Sequence, residues 1–360
     1  LSTSSSAKEL FSTSTRLVLG VQVNFCAKLS KDGCHTVRLE FLDAIGAWML
    51  ELEERLDHQG RLLPYLLTAV SDEHILVRNR AIHLIDKIGA LYETENATEL
   101  KDTLTYLPQE AHNVGWAEST CTADPWELVQ SGHDVGLPVA IASKPRIGAR
   151  RVVTVNFGHA VNGIAHELGG WKEEHRSWAA QLLAVYIAFL QESVLQHLHE
   201  LLPALCRALA SSAFPHKGAD VCTKSALNCC TCIGLFVPSN HIFEILIPRI
   251  LDTSSELVLQ LAAVQAVSAC LQGRAHVGAK DDMGPVLAAI RAVSTAQAPP
   301  LRHALMQAAK AVARCSGEED LKAHSADLAD LLDRKQQWDN MPADDTQDIS
   351  VLVGQLSLGD

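Results

Sequence analysis

LLPYLLTAVSDEHILVRNRAIHLIDKIG, residues Leu62 to Gly89, carries two apolar stripes on either side of a polar break. In the first half Leu63, Leu66, Leu67 and Val70 recur at helical spacing; then SDE interrupts. In the second half Val77, Ala81, Leu84, Ile85 and Ile88 recur the same way. Each half therefore predicts a short amphipathic helix. Neither helix can bury its stripe alone, so the two must pair. The pair still leaves an apolar flank, which calls for neighbouring pairs.

The pattern returns along the chain. Anchored on the small residue Ala81, the equivalent positions are Phe41, Ala81, Ala179, Ala226, Ala262 and Ala304. Four of the five intervals, 40, 47, 36 and 42 residues, fall near the period of about 40–47 that stacked helical pairs show. The fold class expected is all-α, a solenoid of about six helical pairs. Small residues at the anchors suit points where two helices approach closely.

Composition agrees. Hydrophobic residues make up 48% of the 360, but aromatics only 5%, so the packing is aliphatic. That composition favours helices over β-sandwiches, which draw on β-branched and aromatic residues. The net charge is −12, and Gly317–Asp360 alone holds 11 Asp/Glu against 3 Lys/Arg. Neither the tail nor the remainder has the basic footprint that phosphate binding needs, so nucleic acid is not an expected partner. No apolar run reaches the ~18 residues that span a bilayer, so no membrane partner is expected either. The ten cysteines of a chain opening LSTSSSAKEL, with no apolar leader, read as reduced thiols. A start at Leu1 rather than Met points to a piece of a longer protein.

The unit Leu62–Gly89 resembles the HEAT repeat. Pro64 stands early in the first helix, Asp72 in the turn, and Val77-Arg78 opens the second helix ahead of Ala81. Asp32 with Val37-Arg38 repeats these marks upstream. In HEAT proteins the Asp and Arg form a ladder between neighbouring turns, and the resemblance assigns that role to Asp32, Arg38, Asp72 and Arg78. Arg176 fits the Arg position and Asp252 the Asp position. The fourth unit departs with Cys222-Thr223 and the fifth with Val258-Leu259. An exposed Asp–Arg pair contributing at most ~1 kcal/mol is the plainer alternative.

One interval, 98 residues, is irregular. A short helix is expected near Thr98–Tyr106, then a long loop with Pro108, Pro125, Pro138 and Pro145. A degenerate repeat hidden there is the alternative. The expected organisation is N-terminal pairs over 1–92, an irregular insertion over 93–150, C-terminal pairs over 151–316 and an acidic tail over 317–360. Within that tail Glu319–Arg334 is expected to form one more helix.

CTKSALNCCTCIGLF, from Cys222, places four cysteines in eleven residues. Cys222, Ala226, Cys229 and Ile233 share one helical face, whereas metal ligands must converge on one point from paired CxxC knuckles. Buried free cysteine behaves as a small hydrophobe, so a core role is expected and no metal. His159 and His166 share a face, but HExxH fails because position 170 is glycine. There is no GxxxxGK[ST], GxSxG or strand-borne GxGxxG. No cofactor is expected.

Longer segments carry a narrower resemblance. ELKDTLTYL (Glu99–Leu107), KPRIGARRVV (Lys144–Val153), VNGIAHELGGW, RSWAAQLLAVYIAFLQE, QHLHELLPALCRAL and IGLFVPSNHIFEILIP follow the order and interrupted spacing of the HEAT-repeat dynein arm assembly factor family. The resemblance covers roughly residues 60–270. It implies a cytoplasmic, non-enzymatic scaffold. The partners implied are axonemal dynein intermediate and heavy chains, chaperones and other assembly factors. A generic HEAT adaptor unrelated to cilia is the alternative, and a HEAT-like DNA glycosylase is disfavoured by the charge.

In HEAT arrays the second helices line the concave side. Their non-core positions are the binding candidates: Arg80, His83, Lys87, Lys224 and Asn228, then Gln260, Gln265, His303, Gln307 and Lys310. Each of them is equally readable as a solvated surface residue. Several are basic or neutral, so an acidic partner segment, or the chain's own tail, is the expected complement.

Overall fold

The two stripes of Leu62–Gly89 become two helices that turn back on each other, and this hairpin is the building block throughout. The computed structural model describes residues 15–18, 21–106, 121, 123–212, 219–252, 254, 256–293 and 299–316. The expected helix at Glu319–Arg334 and the acidic tail lie outside them. Two compact units divide the chain: Leu1–Glu118 with Leu137–Ser193, and Ser119–Gly136 with Val194–Asp360. These cut across the segments expected from sequence. Residues 151–193 pack with the N-terminal pairs, and part of the insertion belongs to the second unit.

The first unit opens on a hairpin the sequence reading did not anticipate. Strands β1 (Thr15–Val18) and β2 (Val21–Asn24) pair antiparallel, with Thr15 opposite Asn24 and Val18 opposite Val21. The valines at 18, 21 and 23 favour a strand locally. Helices α1 (Phe25–Leu29), α2 (His35–Glu51), α3 (Arg55–Ala69), α4 (Ile75–Glu95) and α5 (Ala97–Tyr106) follow. After α6 (Pro125–Gln130), which belongs to the second unit, α7 (Ile147–Leu168) and α8 (Glu173–Leu190) complete the first.

Helix α2 packs on α4, and α4 on α7, in one layer; α8 lies against α3 and α7. Helix α7 thus continues the second-helix layer, and Ala179 on α8 stands in the opposite layer from Ala81. The anchor placed at Ala179 is corrected accordingly. The physical reason is that α7, which lies within the 98-residue interval, packs on α4 and so continues the second-helix layer, while α8 packs on α7 and α3. Helix α5, the short helix expected near Thr98–Tyr106, packs on α4. The core here is Ile45, Met49, Leu63, Leu66, Leu67, Ile164 and Leu168, with Phe157 packed on Tyr186 at 4.9 Å between ring centroids.

In the second unit α9 (Leu198–Ser212), α11 (Ser239–Leu251) and α13 (Gly284–Val293) alternate with α10 (Ala219–Phe236), α12 (Leu257–His276) and α14 (Pro299–Cys315). Helices α10, α12 and α14 stack as one layer, and α9, α11 and α13 as the other. The anchors Ala226, Ala262 and Ala304 are all buried. Helices α3, α9 and α11 each carry an interior proline, Pro64, Pro203 and Pro248. Because α3 starts at Arg55, Pro64 is interior rather than early, and it removes one backbone hydrogen bond from the helix.

Close helix approaches are made at glycine. A Cβ on Gly148 of α7 would lie 2.0 Å from the Gly89 carbonyl oxygen on α4. One on Gly234 of α10 would lie 1.9 Å from the Cys270 carbonyl oxygen on α12. These are the glycines of the KPRIGARR and IGLFVP segments, so those segments mark helix crossings.

Cys222, Cys229, Cys230 and Cys232 have no solvent exposure and pack in the core of the second unit. Burial pushes the thiol of Cys206 up to about 12 and that of Cys232 higher still. Cys230 is raised too, through its contact with Cys270 and through burial. One helical stretch, Glu173–Ser211, is long and apolar enough to cross a bilayer, which the sequence reading had not counted. A 3₁₀ turn at Gln191–His197 interrupts it, and 72% of its most apolar window is buried inside the protein, as in a core helix.

Candidate functional site

Among the described residues the Asp–Arg ladder has one complete rung. Arg38 Nε donates to Asp72 Oδ2 at 2.8 Å and Nη2 to Oδ1 at 2.9 Å, joining the first helical pair to the second. The side chains are only 7% and 11% exposed. Pairing with Asp72 holds the Arg38 guanidinium above its ordinary pKa against the opposing effect of burial. Asp72 also caps α4, accepting from the His74 amide at 2.8 Å, as Asp32 accepts from the Cys34 amide at 2.8 Å.

A second device recurs. Arg38 donates to the Asp32 carbonyl, Arg78 to the Asp72 carbonyl and Arg176 to the Gly170 carbonyl, each six residues back. This clamp closes any helix–turn–helix of this length. It explains why Arg176 fits the Arg position in sequence although α8 sits in the first-helix layer. Arg176 bonds its own turn carbonyls at Gly170 and Trp171 and adds no described rung. Asp252 caps its turn by accepting from the amide and the hydroxyl of Ser254.

Around the rung lies a pocket of about 350 Å³, lined among others by Lys31, Arg38, Tyr65, Asp72, Trp178 and Gln181. The Lys31 ammonium stands 5.0 Å from the Trp178 ring centroid. Burial lowers its pKa, while Glu167 and Glu174 act in the other direction. No histidine lines this pocket, and the hydroxyls of Ser30 and Thr68 donate to helix carbonyls. The lining offers ring and hydrogen-bond contacts to a side chain. Sequence reasoning missed Lys31 and Trp178 because they meet across 147 positions without a local signal.

The predicted binding residues divide. On α4, His83 and Lys87 are exposed, whereas Arg80 pairs with Asp43 of α2. In the second unit Lys224, Asn228 and His303 are exposed, Gln265 and Gln307 half-buried, and Lys310 buried. Gln260 is buried, and its amide donates to the carbonyls of Ile250 and Asp252 at 3.3 and 2.9 Å. It thus clamps its turn with an amide, reaching carbonyls eight and ten residues back.

Asn228 is engaged by the insertion. Its Nδ2 donates to the Gly136 carbonyl at 2.7 Å, and the Cys232 thiol donates to the same oxygen at 3.0 Å. At the other end of this strap the Ala123 amide donates to the Val277 carbonyl at 3.2 Å. Between them Trp126, 2% exposed, packs on Phe236 with centroids 6.4 Å apart. Gly136 has φ +83°, a left-handed conformation that suits glycine, and a Cβ there would lie 2.7 Å from Asn228 Oδ1. Below the strap the Arg274 guanidinium, 1% exposed, binds Asp281 at 2.7 and 3.0 Å, and Asp281 accepts from Ser239 at 2.6 Å. The sequence reading left Trp126, Gly136, Arg274 and Asp281 unassigned, since their pairing depends on the docking of an insertion that looks irregular.

Comparison with known proteins places this architecture. Residues 138–332 match the family described as dynein axonemal assembly factor 5, HEAT-repeat domain. Residues 11–103 match dynein axonemal assembly factor 5-like, TPR repeats. The N-terminal pairs, read from sequence as HEAT, thus match a TPR description, another array of helix–turn–helix units. Dynein axonemal assembly factor 5 of Homo sapiens is 26% identical over 241 residues, 66% of this chain and 24% of that protein. The Mus musculus protein is 28% identical over 177 residues, 49% of this chain and 18% of that protein. The Xenopus laevis protein is 27% identical over 169 residues, 47% and 17% respectively. The chain therefore aligns with no more than about a quarter of the length of these relatives. An engineered protein of known structure aligns over 93% of this chain and 88% of its own at 14% identity, but with a TM-score of 0.27 it carries no argument. Its matched segments, between them running from residue 11 to residue 332, make this chain a member of the dynein axonemal assembly factor 5 family.

Proposed function

We propose that this chain acts as a non-enzymatic helical scaffold in the cytoplasmic preassembly of axonemal dynein arms. It holds dynein intermediate or heavy chains together with chaperones and other assembly factors before the arms enter the cilium. The observation that carries this reading is the family match across 138–332, supported by that across 11–103. The exposed polar positions His83, Lys87, Lys224 and His303 on second-layer helices suit protein contacts. Stacked helical repeats present extended surfaces that serve binding more readily than catalysis.

The test is capture from the cytoplasm of cells building cilia, with the immobilised chain as bait and a helical-repeat protein of similar charge as control. Enrichment of axonemal dynein chains and chaperone subunits over the control is expected. Equal recovery on both baits would sink the proposal.

A further inference from the structure

The strap from Cys121 to Gly136 lies on the α10–α12 layer in the manner of a bound peptide. Its backbone is read at both ends: the Val277 carbonyl accepts from Ala123, and Asn228 and Cys232 donate to Gly136. Its one aromatic residue, Trp126, is inserted against Phe236. Backbone contacts give register without sequence demand, and a buried aromatic gives anchorage. Residues 121–136 contain Asp124, Glu127 and Asp134 with no lysine or arginine. Arg274 lies beside Cys121, and Asp134 acts on His276, which also feels Arg314.

The fit is incomplete at two buried points. Among the described residues the indole N–H of Trp126 meets no acceptor, and neither does Nη1 of Arg274. Each buried, unmade hydrogen bond weakens the strap's hold on this face. The strap holds its place because it is covalently attached, which gives a short tether a local concentration on the order of millimolar.

We propose that the α10–α12 face is a docking groove for an extended acidic protein segment with an aromatic anchor, and that the strap is its resident occupant in cis. A partner segment displaces the strap by placing its own aromatic ring against Phe236. A carboxylate or amide about five residues ahead of that ring, where the strap has Cys121, then reaches Arg274. The inference does not rest on the identity of the partner and stands apart from the dynein assembly role.

The probe is a fluorescein-labelled peptide of residues 121–137, titrated into the full chain carrying Trp126→Ala and into the unaltered chain. The Trp126→Ala chain, its own anchor gone, is expected to bind the peptide at least about tenfold more tightly than the unaltered chain does. The same peptide with alanine at the tryptophan position is expected not to compete. Equal affinity for both chains, or no binding to either, overturns the proposal. If Trp126→Ala does not fold, Asn228→Ala gives the reading, because Asn228 is exposed and its described hydrogen bond is to the strap. Amide exchange over residues 133–136 is expected to accelerate about tenfold while α10 and α12 stay protected. Unchanged exchange there overturns the proposal equally.

Discussion

Arg38 grips Asp72 through two N–H···O bonds of 2.8 and 2.9 Å, and this contact helps tie the first helical pair to the second. Both partners are largely withdrawn from water, so removing Asp72 leaves Arg38 with only the exposed Glu73 carboxylate, at 3.3 Å. Asp72→Ala is expected to destabilise the chain by about 3–5 kcal/mol. Asp32→Ala, which loses only an exposed turn cap, is expected to lose about 1 kcal/mol. Urea midpoints measure both. Equal losses would show that the rung contributes no more than the cap.

Glycine substitutions separate close approach from helix propensity. Gly234→Ala and Gly148→Ala press a methyl group into a neighbouring helix backbone, and each is expected to cost about 3 kcal/mol or more. Gly158 on α7 is exposed, and a Cβ there would meet nothing within 4 Å. Gly158→Ala is expected to stabilise by about 0.8 kcal/mol, because alanine is the better helix former. Thermal melts of the three variants give the signs directly.

Cys34 is exposed at the start of α2, where the backbone N–H groups of Val37 and Thr36 favour its thiolate and lower its pKa. Iodoacetamide at pH 7 is expected to label Cys34 first, with the midpoint of the rate–pH curve below that of free cysteine. Cys206 and Cys315, both raised to about 12 by burial, are expected to react only on unfolding. Peptide mapping after timed quenching checks the order, and early labelling of Cys206 would contradict it.

His276 stands at the end of α12, and desolvation by the surrounding protein lowers its pKa. Asp134 opposes that shift; Arg314 and His133 reinforce it. The unfolded chain therefore binds the proton more readily than the folded one. Stability is complete above the unfolded value of about 6.5 and falls as pH drops through it toward the folded value. His276→Gln is expected to flatten that part of the stability–pH curve. An identical acid slope in the variant would remove His276 as its source.

Gln260 distinguishes a turn clamp from a partner contact. Gln260→Ala is expected to lose about 1–2 kcal/mol of stability, because the carbonyls of Ile250 and Asp252 lose their donor. His83→Ala, on an exposed position, is expected to stay within about 0.5 kcal/mol of the parent. A reversed order in chemical denaturation would return Gln260 to the binding surface.

The helical pairs were legible because an apolar stripe at 3.6-residue spacing is a local pattern, and Asp72 and Arg38 because the turn needs a cap and a clamp at fixed offsets. The misplacement at Ala179 has an equally physical origin. The hairpin of α7 and α8 uses the same Arg-to-carbonyl clamp as that of α3 and α4, so residue type alone does not show which layer a helix joins. The strap was illegible for a different reason. Trp126 and Phe236 are 110 positions apart, and nothing near either names the other.

That separation sets a timetable for the newborn chain. At about 5–20 residues per second, translation leaves an interval of roughly 5–20 s between the appearance of Trp126 and that of Phe236. During it an indole and its acidic flanks have no seat within the nascent polypeptide. Ribosome-bound intermediates halted before Phe236 therefore present this segment to whatever holding factor waits at the exit tunnel, and release follows only when α10 and α12 have been made.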